Sequence, residues 1–380
     1  MSVREVAIFR HNLFRISEPF IAQQAQRLRR HRPLYLGRLR YGDAPPGAAS
    51  LALQDRVRGS ALPLVAWQAL SGDTRPYRRL LEGHHPALIH AHFGVNAVYA
   101  LPLARHLRIP LITTFHGFDA TLATPALLGS PEWMRYRLLR GRLAREGALF
   151  LCASAFLRDR VLALGFPAAR TRVHYLGVDV DAIRRRDPAE ETATVLHVAR
   201  LVEVKGTAYL IRAFARVASR HAPVRLVIIG AGPLERRLRR LAGALGLGER
   251  VQFLGARPHA EVLDWMRRAA MLVLPSVRTA SGRVEGLGMV ALEAAASGVP
   301  VIGSRQGGIP EAVLDARTGW LVAERDVEAL ARRMHELLAD PAARQRLGAA
   351  AREHVERHFD LGRQTAALEE LYASVIDAAG

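Results

Sequence analysis

Short apolar runs alternate with segments of helical spacing through the second half of the chain. The strand candidates are mostly apolar runs, at 194–199, 224–230, 250–255, 271–276, 299–304 and 319–323. The segments between and after them repeat apolar residues every three or four positions, as at 206–220, 233–246, 259–270, 287–298 and 326–340. Strands of continuous apolar character that alternate with helices form a parallel sheet covered on both faces. The pattern therefore predicts a doubly wound α/β domain.

The first half follows the same alternation less regularly. Its strand candidates are the apolar runs at 5–9, 87–93, 110–117, 148–154 and 172–177. Its helix candidates are the segments at 18–31, 97–108, 132–146 and 156–165. Segment 38–75 shows no regular pattern and is expected to contain a loop. The polar, charged stretch 177–193 is typical of a linker, so two domains of similar size are predicted, 1–180 and 185–360.

Length, apolar runs and cysteine content narrow the class of protein. A chain of 380 residues exceeds what one hydrophobic core usually holds, in agreement with two domains. It has no run of eighteen apolar residues, and "MSVREVAIFRHNLF" lacks the order of a signal peptide. The single cysteine, Cys152, stands in an apolar run and is expected to be buried and unreactive. We expect a folded, cytoplasmic protein.

The formal net charge of +19 is concentrated in the N-terminal half. Residues 1–180 hold 25 arginines and 11 acids, whereas residues 181–380 hold 29 basic residues and 24 acids. Either an anionic partner approaches the first half, or the composition has drifted toward arginine; both explanations stay open. Lys205 is the one lysine among 54 basic residues, which hints that its position requires a compact ammonium.

Two carboxylates, Glu285 and Glu293, stand eight residues apart in the apolar stretch "VEGLGMVALEAAASGVPV" (284–301). Burying a carboxylate without a partner is costly, so both need a role. Gly286 and Gly288 allow the backbone to approach a ligand closely, and a helix is predicted to begin near Leu287 or Gly288. Glu285 then precedes the helix and Glu293 lies in its second turn, roughly 8–12 Å away at about 1.5 Å rise per residue.

A nucleotide sugar fits this order of acid, helix N-terminus and acid. The backbone N–H groups from Gly286 to Met289 and the helix dipole favour a diphosphate. A carboxylate accepts two hydroxyl protons, as a vicinal diol offers. Glu293 would hold the ribose diol and Glu285 the hydroxyls of the transferred sugar. The alternative is that Glu285 stabilises the helix end and Glu293 is solvated or paired; the spacing alone does not decide.

Taken with other motifs, "EGLGMVALE" resembles the E-x7-E signature of the family 4 retaining glycosyltransferases. In the second half the likeness continues in "HVARLVEVKG" (197–206), "VIIGAGPLE" (227–235), "VQFLGARP" (251–258) and "GGIPEAV.D..TGWLV" (307–322). In the first half it continues in "HAHFG" (90–94), "TTFHGFDAT" (113–121) and "YLGVD" (175–179). The chain is especially similar to the members that make exopolysaccharide and colanic acid.

The resemblance implies a GT-B fold, in which two doubly wound Rossmann-like domains face each other across a cleft. The first domain would bind the acceptor and the second the nucleotide sugar. A C-terminal helix of about 361–380 would pack back on the first domain. The implied reaction is retaining transfer of a hexose-type sugar from a UDP- or GDP-linked donor to an acceptor hydroxyl, with no cofactor.

The family's catalytic residues map onto four positions. Glu285 matches the sugar-binding carboxylate, and His116 in "FHGFD" matches the residue that reaches the donor sugar from the first domain. Arg200 and Lys205 match the basic pair aimed at the diphosphate, where fixed cations stabilise the charge that develops on the leaving group. An ion pair of Arg200 with Glu203 is the alternative.

Further positions match donor contacts. Glu293 matches the ribose-binding carboxylate, with Gly286, Leu287, Gly288 and Met289 at the diphosphate. "GAGP" lacks the full dinucleotide pattern, but Gly230 and Gly232 would border the nucleotide, and Arg257 would lie near the base. Gly307 and Gly308 would keep a turn close to the ligand, although turn geometry alone explains them equally well.

The loop after the first strand departs from the family pattern. Many relatives have a glycine-rich loop here, whereas "RHNLFRISEPF" (10–20) has none and resembles the version found in exopolysaccharide members. Arg15 or Ser17 would substitute on the acceptor side. Asp119 is a further acceptor-side candidate, with a helix N-cap as its alternative role.

No metal site is predicted. Cys/His clusters and Asp-rich metal motifs are not evident, and the histidines of "HAHFG" are more typical of a structural pair. The helix end and the two cations would neutralise the diphosphate, so transfer is expected to be independent of metal.

The acceptor is expected to be a lipid-linked oligosaccharide at the inner leaflet of the membrane. Segment 132–147 mixes aromatic and aliphatic residues with five arginines, as an interfacial helix does, and 24–41 would add to this basic patch. An ordinary surface helix packed on the sheet is the alternative for 132–147. A soluble acceptor, or a GT-B epimerase or phosphorylase, is the second hypothesis. Nucleic-acid binding is not expected, because no recognition motif accompanies the charge.

Overall fold

The computed structural model describes residues 4–57, 59–123, 129–221 and 223–379. The chain divides into two compact units. Unit 1 comprises Met1–Gly177 together with Leu361–Gly380, and unit 2 comprises Val178–Asp360. The division after Gly177 falls at the start of the polar stretch that the sequence marks as a linker, and the chain returns to unit 1 for its last helix.

Unit 1 is built on a seven-stranded parallel sheet. Its strands, with one short extra pair, are β1 (Arg4–Phe9), β2 (Asn12–Leu13), β3 (His31–Gly37), β4 (Leu39–Arg40), β5 (Ala49–Ala52), β6 (Leu88–His92), β7 (Leu111–Phe115), β8 (Leu149–Cys152) and β9 (Thr171–Val173). Its helices are α1 (Pro19–Gln26), α2 (Leu62–Ser71), α3 (Arg75–Leu80), α4 (Gly94–Leu107), α5 (Phe118–Thr121), α6 (Pro131–Glu146) and α7 (Ala155–Ala163), and the C-terminal helix described below. The sheet order is β5-β3-β1-β6-β7-β8-β9, so the chain reverses direction across the sheet between β1 and β6.

Unit 2 is built on a six-stranded parallel sheet. Its strands are β10 (Thr192–Val198), β11 (Arg225–Ile229), β12 (Val251–Gly255), β13 (Ala269–Leu274), β14 (Val301–Ser304) and β15 (Gly319–Val322). Its helices are α8 (Thr207–Ala218), α9 (Glu235–Ala244), α10 (His259–Arg268), α11 (Met289–Ala296), α12 (Ile309–Ala312), α13 (Val327–Ala339) and α14 (Pro341–His358). The order β12-β11-β10-β13-β14-β15 is the doubly wound order, with its reversal between β10 and β13.

Burial of one helical face on the sheet explains these elements. In α8, Leu210, Phe214 and Val217 are buried in the core of unit 2, whereas Arg212 and Arg216 are exposed. The central strand β13 is buried along its whole length and β10 from Thr194 to His197, as strands covered on both faces require. The predicted α/β class with two doubly wound parallel sheets is therefore confirmed.

The largest differences from the sequence prediction lie in the first half. The predicted helix 18–31 ends at Gln26, because its last residues lead into β3, which the sequence pattern did not separate from the helix. Segment 38–75, expected to contain a loop, holds β4, β5 and α2. Helix α2 escapes detection because "LPLVAWQALS" is apolar except at Gln68 and Ser71 and lacks a helical period.

The last helix, α15 (Leu361–Asp377), packs with unit 1 and contacts α1. Cys152 is buried at the end of β8, and burial raises the pKa of its thiol, as the apolar setting predicts for an unreactive cysteine. Among the described helices, none is long and apolar enough to cross a bilayer.

Candidate active site

The predicted donor residues gather at the carboxyl edge of the unit 2 sheet. The loops after β10 and β13 carry Lys205 and Glu285, and these two strands flank the point where the strand order reverses. In open α/β sheets, ligands bind at this edge beside the reversal, because the two neighbouring loops diverge there. The fold thus brings together two residues that are 80 positions apart in sequence.

Glu285 forms two side-chain hydrogen bonds at this edge. Its Oε2 accepts a hydrogen bond from Lys205 Nζ at 2.6 Å and another from Ser276 Oγ at 3.1 Å. Burial alone would raise the pKa of Glu285, but the Lys205 charge, these two hydrogen bonds and the Arg200 charge together hold it below its usual value. Glu285 is therefore an ionised carboxylate in a largely buried position.

Arg200 lies in the loop after β10 with its side chain exposed. It is close enough to Glu285 to lower the pKa of that carboxyl. Within the described residues it forms no ion pair with Glu203, so the alternative interpretation of Arg200 as half of a surface pair is not supported by the structure.

Helix α11 begins as the sequence predicts. Gly288 is its N-cap, with φ of 88° and no side-chain hydrogen bond to the first turn. Leu287 is buried just before it, and Met289 is the first helical residue. The start of α11 therefore follows Glu285 by four residues, and its first turn has no side-chain cap.

Glycines let the neighbouring loops reach this edge. Gly307 has φ of +57°, and a Cβ on it would stand 2.1 Å from the carbonyl oxygen of Glu285. The N–H of Gly308 donates to that same oxygen at 3.1 Å. The turn after β14 therefore packs on the backbone of Glu285, which is a positioning role.

Gly230 and Gly232 show a similar close approach. A Cβ on Gly230 would meet Ala199 O at 1.9 Å, and one on Gly232 would meet Leu201 O at 2.5 Å. The turn after β11 thus supports the loop that carries Arg200. The predicted contact of these glycines with the nucleotide stays a prediction.

Glu293 has a partner that the sequence did not reveal. Its Oε1 is 2.9 Å from His259 Nε2, at the start of α10. This hydrogen bond raises the pKa of His259 and burial opposes the rise, while the Glu293 charge adds to it. Arg257, two residues earlier, is paired with Glu261 at 3.6 Å and half-exposed. A lone histidine after a proline gave no signal in the sequence.

In unit 1, Asp119 holds together the loop ends of the carboxyl edge. Its Oδ1 accepts from the backbone N–H of His116 at 3.2 Å and of Gly117 at 3.0 Å, and its Oδ2 accepts from Gly94 N at 2.9 Å. Burial raises the pKa of Asp119 to about 6, against the opposing effect of these amides. Both oxygens are therefore engaged by backbone of the loops, while Gly117 and not Asp119 is the N-cap of α5. The acceptor-side role of Asp119 stays a prediction.

His116 is the end of a buried histidine chain. Its Nε2 is 2.9 Å from His92 Nδ1, and the two rings stack. Next to them, His90 bridges Thr114 Oγ1 and Tyr372 OH, each at 2.6 Å. Burial, then the His90 and Arg10 charges, lowers the pKa of His116 well below its usual value, so the ring is neutral at neutral pH.

One ring nitrogen of this chain has no partner. His116 Nδ1 is buried and, within the described residues, forms no hydrogen bond. A buried polar atom without a partner in a folded protein calls for a ligand or water. The unpaired nitrogen marks His116 as a candidate contact for substrate in unit 1.

The loop after β1 contributes a charged pair instead of glycine. Arg10 donates to both oxygens of Glu18, at 2.9 and 3.0 Å, and stacks on the ring of Phe93. The predicted Arg15 lies over the ring of Tyr41, and Ser17 is exposed. The sequence prediction did not single out Arg10 and Glu18, since an ion pair between residues eight apart in a loop has no pattern.

No group of three or more His, Cys, Asp or Glu side chains is placed to hold a metal ion within the ranges that the structure describes. The pair His90 and His92 of "HAHFG" bonds to Tyr372, Thr114 and His116 instead.

Comparisons with known proteins define the class. Residues 179–354 match the family described as Glycosyl transferases group 1, and residues 22–182 match Glycosyltransferase Family 4. HepE of Anabaena, solved in complex with UDP and glucose, superposes with a TM-score of 0.77 at 20% identity, covering 98% of this chain and 100% of HepE. The fold is the GT-B fold of glycosyltransferases, as the sequence predicts.

Two curated relatives narrow the class further. Glycosyltransferase WcaL of Escherichia coli (strain K12), ascribed to colanic acid biosynthesis, is 35% identical over 278 residues, which are 71% of this chain and 66% of WcaL. The GDP-mannose-dependent alpha-(1-6)-phosphatidylinositol monomannoside mannosyltransferase of Mycobacterium tuberculosis (strain CDC 1551 / Oshkosh) is 37% identical over 336 residues, 82% of this chain and 83% of that protein. The chain belongs to glycosyltransferase family 4, and it is a transferase.

Proposed function

We propose that this chain transfers a hexose-type sugar from a nucleotide diphosphate donor to an acceptor hydroxyl with retention of configuration, in exopolysaccharide synthesis. One observation carries the proposal. Glu285 is largely buried, ionised and bonded to Lys205, directly before the uncapped start of α11 and at the strand-order reversal of unit 2. A fixed anion beside fixed cations suits a substrate with both hydroxyl and phosphoryl groups.

The donor would bind along α11 in unit 2. The first-turn amides of α11 and the charges of Arg200 and Lys205 attract the diphosphate. Glu285 accepts hydrogen bonds from the hydroxyls of the sugar. Glu293, one and a half turns into the helix, accepts from the ribose diol, and His259 fixes the orientation of its carboxylate.

The chemistry is charge stabilisation at the leaving group. As the bond from the anomeric carbon to the diphosphate breaks, negative charge grows on the phosphoryl oxygens, and preorganised cations lower the energy of that state. Lys205 is held in place by Glu285, so its ammonium needs no rearrangement. The acceptor hydroxyl attacks from the face that the diphosphate leaves and passes its proton to the departing phosphoryl oxygen, which needs no protein nucleophile and retains the configuration.

His116 in unit 1 would contact the donor sugar. Its unpaired Nδ1 is the atom available for a sugar hydroxyl, and His92 holds the other ring nitrogen. Unit 1 would also bind the acceptor, with Arg15 and Ser17 on that side.

A lipid-linked oligosaccharide is the acceptor that we propose. The similarity to a mannosyltransferase named for a phosphatidylinositol mannoside supports an acceptor carried on a lipid. The similarity to WcaL, ascribed to colanic acid biosynthesis, supports a role in polysaccharide synthesis. Transfer would need neither cofactor nor metal, because Arg200, Lys205 and the helix end supply the positive charge that the diphosphate needs.

The test is nucleotide-sugar binding and turnover by the wild-type protein and matched variants. The protein is screened with UDP-glucose, UDP-N-acetylglucosamine, UDP-galactose and GDP-mannose, with and without EDTA, by thermal shift and by release of nucleoside diphosphate. Glu285→Gln and Lys205→Met are expected to lower turnover by about a hundredfold or more without loss of folding. Glu328→Gln, which removes the surface partner of Arg216 in the same unit, is the control.

Four outcomes contradict the proposal. Wild-type turnover that EDTA abolishes would remove the metal-independent mechanism. Most activity surviving in Glu285→Gln or Lys205→Met would remove the role of the pair. Isomerised donor in place of a glycoside would indicate an epimerase, and transfer to soluble sugars with no transfer to a lipid extract would indicate a soluble acceptor.

A further inference from the structure

Helix α2 turns its largest side chains to the solvent. Of the eight large apolar side chains that are exposed in the described part of the chain, Leu62, Trp67 and Leu70 lie on α2 and two more on the adjoining α6. The three on α2 are 68, 54 and 65% exposed, and the helix has no charged residue. An apolar helix face of this kind, left in contact with water, is typical of a docking surface.

Polar contacts on the opposite side fix this orientation. Gln68, buried on the inner face, accepts a hydrogen bond from Arg38 Nε at 2.5 Å. The hydroxyl of Tyr99 donates to the carbonyl oxygen of Ala69 at 2.6 Å. Turning the apolar residues inward would break both contacts and leave the buried Nε of Arg38 without its acceptor, which is costly. The outward apolar face is therefore built into unit 1.

An arginine-rich hollow lies beside the helix. Its lining consists of one α2 residue and residues of the chain before and after the helix: Leu64, Arg56, Asp73, Arg75, Pro76 and Arg79. Asp73 is already bonded to Arg75 Nε at 2.9 Å. Arg56 and Arg79 are exposed and, among the described residues, form no ion pair. The hollow therefore has an excess of positive charge.

The adjoining helix α6 contributes less apolar surface than its sequence predicts. Met134 and Leu138 are exposed, but Tyr136 and Leu143 are buried against unit 1. Much of α6 is therefore packed on the rest of unit 1, in line with the alternative of an ordinary surface helix for segment 132–147. Most arginines of segment 24–41 are also engaged: Arg30 pairs with Glu370, Arg32 with Glu5, Arg38 with Glu132 and Arg40 with Asp55. The unengaged apolar surface is concentrated on α2.

We infer that α2 and the arginine hollow dock unit 1 on an anionic phospholipid bilayer. Leu62, Trp67 and Leu70 would enter the boundary between headgroups and acyl chains, and the hollow's arginines would meet phosphoryl oxygens. An uncharged apolar helix bordered by cations matches the order of layers at a membrane surface, where each basic residue adds attraction to anionic lipid. The first half of the chain also carries an excess of arginine, so its overall positive charge would add to the attraction to anionic lipid.

Vesicle binding tests this inference without donor or acceptor. The wild-type protein is expected to sediment with vesicles of phosphatidylglycerol and phosphatidylcholine, less so at high salt, and weakly with phosphatidylcholine alone. Brominated acyl chains are expected to quench tryptophan fluorescence. Trp67→Phe, which keeps the apolar character, is expected to abolish most of the quenching while binding persists, because it removes the tryptophan on the surface.

Variants of α2 and of the arginine hollow test whether vesicle binding depends on this surface. The double variant Trp67→Ser, Leu70→Ser is expected to bind anionic vesicles at least about tenfold more weakly, and to stay folded because both side chains are more than half exposed. Arg79→Gln and Arg56→Gln are each expected to weaken binding about fivefold. Leu245→Ser and Arg212→Gln, which change exposed residues of unit 2, are the matched controls and are expected to bind as the wild type does.

The inference is overturned if the wild type ignores anionic vesicles, or if the double variant binds as well as the wild type. It is equally overturned if α2 instead joins two copies of the chain, seen as a dimer in solution that the double variant dissolves. Nucleotide-sugar binding is measured on the same preparations. A protein that ignores vesicles but binds a nucleotide sugar would contradict only the membrane inference. A protein that binds vesicles but no nucleotide sugar would contradict only the proposed transferase activity.

Discussion

His197 illustrates how a buried side chain ties stability to pH. A carbonyl oxygen only accepts hydrogen bonds, so His197 Nδ1 carries the proton that it donates to Val273 O at 2.8 Å. Nε2 then accepts from the hydroxyl of Thr207 at 3.0 Å. Burial lowers the pKa of His197 to about 4 from 6.5, and the charge of Lys205 adds to this effect.

This pKa predicts acid sensitivity of unit 2. Between pH 6.5 and 4 the unfolded chain binds the proton that the folded chain refuses, so stability is lost as the pH falls. From pH 7.5 to pH 5 the loss from this histidine is expected to be about 2 kcal/mol of unfolding free energy. Urea unfolding of the wild type and of His197→Gln at both values measures it. The variant should lose that part of the pH dependence, and exposed His335→Gln should keep it; an unchanged slope in His197→Gln would refute the assignment.

At the scale of single residues, the sequence predicts those site members whose type and spacing are unusual. Glu285 and Lys205 stand out because an acid in an apolar stretch and a solitary lysine both need an explanation, and the structure joins them. His259 and Arg10 do not stand out, because histidine and arginine are common on surfaces. Their partners come from distant or irregular segments, so only the folded chain shows the contacts.

At the scale of elements, helices and strands with a clear period are predicted well. The helix predicted at 132–146 is Pro131–Glu146, and the strand predicted at 5–9 is Arg4–Phe9. Helix α2 is missed because it exposes its large apolar residues and buries Gln68, and strand β3 is missed because it follows a helix after a few residues. Apolar periodicity detects a helix whose apolar face is buried, so it does not detect an element that exposes its apolar residues.

The turn after β14 gives a prediction at this scale. Gly307→Ala would place a Cβ 2.1 Å from the carbonyl oxygen of Glu285 in a left-handed backbone. We expect a loss of at least about 2 kcal/mol of unfolding free energy, since strain and a backbone clash add, together with a marked loss of turnover because Glu285 shifts. Thermal unfolding and turnover measure both.

The matched control for this turn is Gly246→Ala. Gly246 has φ of +67°, and a Cβ on it would meet nothing within 4 Å. The Gly246→Ala variant is therefore expected to be destabilised only by the strain of the left-handed conformation, about 1 kcal/mol of unfolding free energy, and to keep its turnover. Equal effects of the two substitutions would show that packing against Glu285 does not matter.

At the scale of the whole molecule, the chain crosses from unit 1 to unit 2 and returns for its last helix. The period of the strands and helices predicts two α/β domains, but nothing in the composition of 361–380 says on which domain this helix packs. That expectation came from the family resemblance. The structure shows the contacts responsible: Glu369 of α15 faces the start of β3, and Tyr372 bonds to His90 of β6.

Glu369 is the residue that anchors this return. Its Oε1 accepts from the backbone N–H groups of Arg29, Arg30 and His31 at 3.1, 2.7 and 3.1 Å, and lies 3.1 Å from His31 Nδ1. Burial opposes the ionised form, but these hydrogen bonds and the His31 charge hold the pKa of Glu369 below its usual value. One buried carboxylate thus accepts the hydrogen bonds of three consecutive backbone N–H groups between α1 and β3.

Removing that carboxylate is expected to loosen unit 1 and leave unit 2 unchanged. Glu369→Ala leaves the buried donors of His31 and two partly buried amides without their acceptor, so we expect a loss of about 3 kcal/mol of unfolding free energy. Amide hydrogen exchange followed by mass spectrometry is expected to rise in β3, β6 and α15, and to stay constant in the strands of unit 2. The neighbouring Glu370→Ala removes an exposed ion pair with Arg30 and is expected to cost less than about 1 kcal/mol. Faster exchange across both units in Glu369→Ala would mean that the last helix stabilises the molecule as a whole, contrary to its contacts with unit 1.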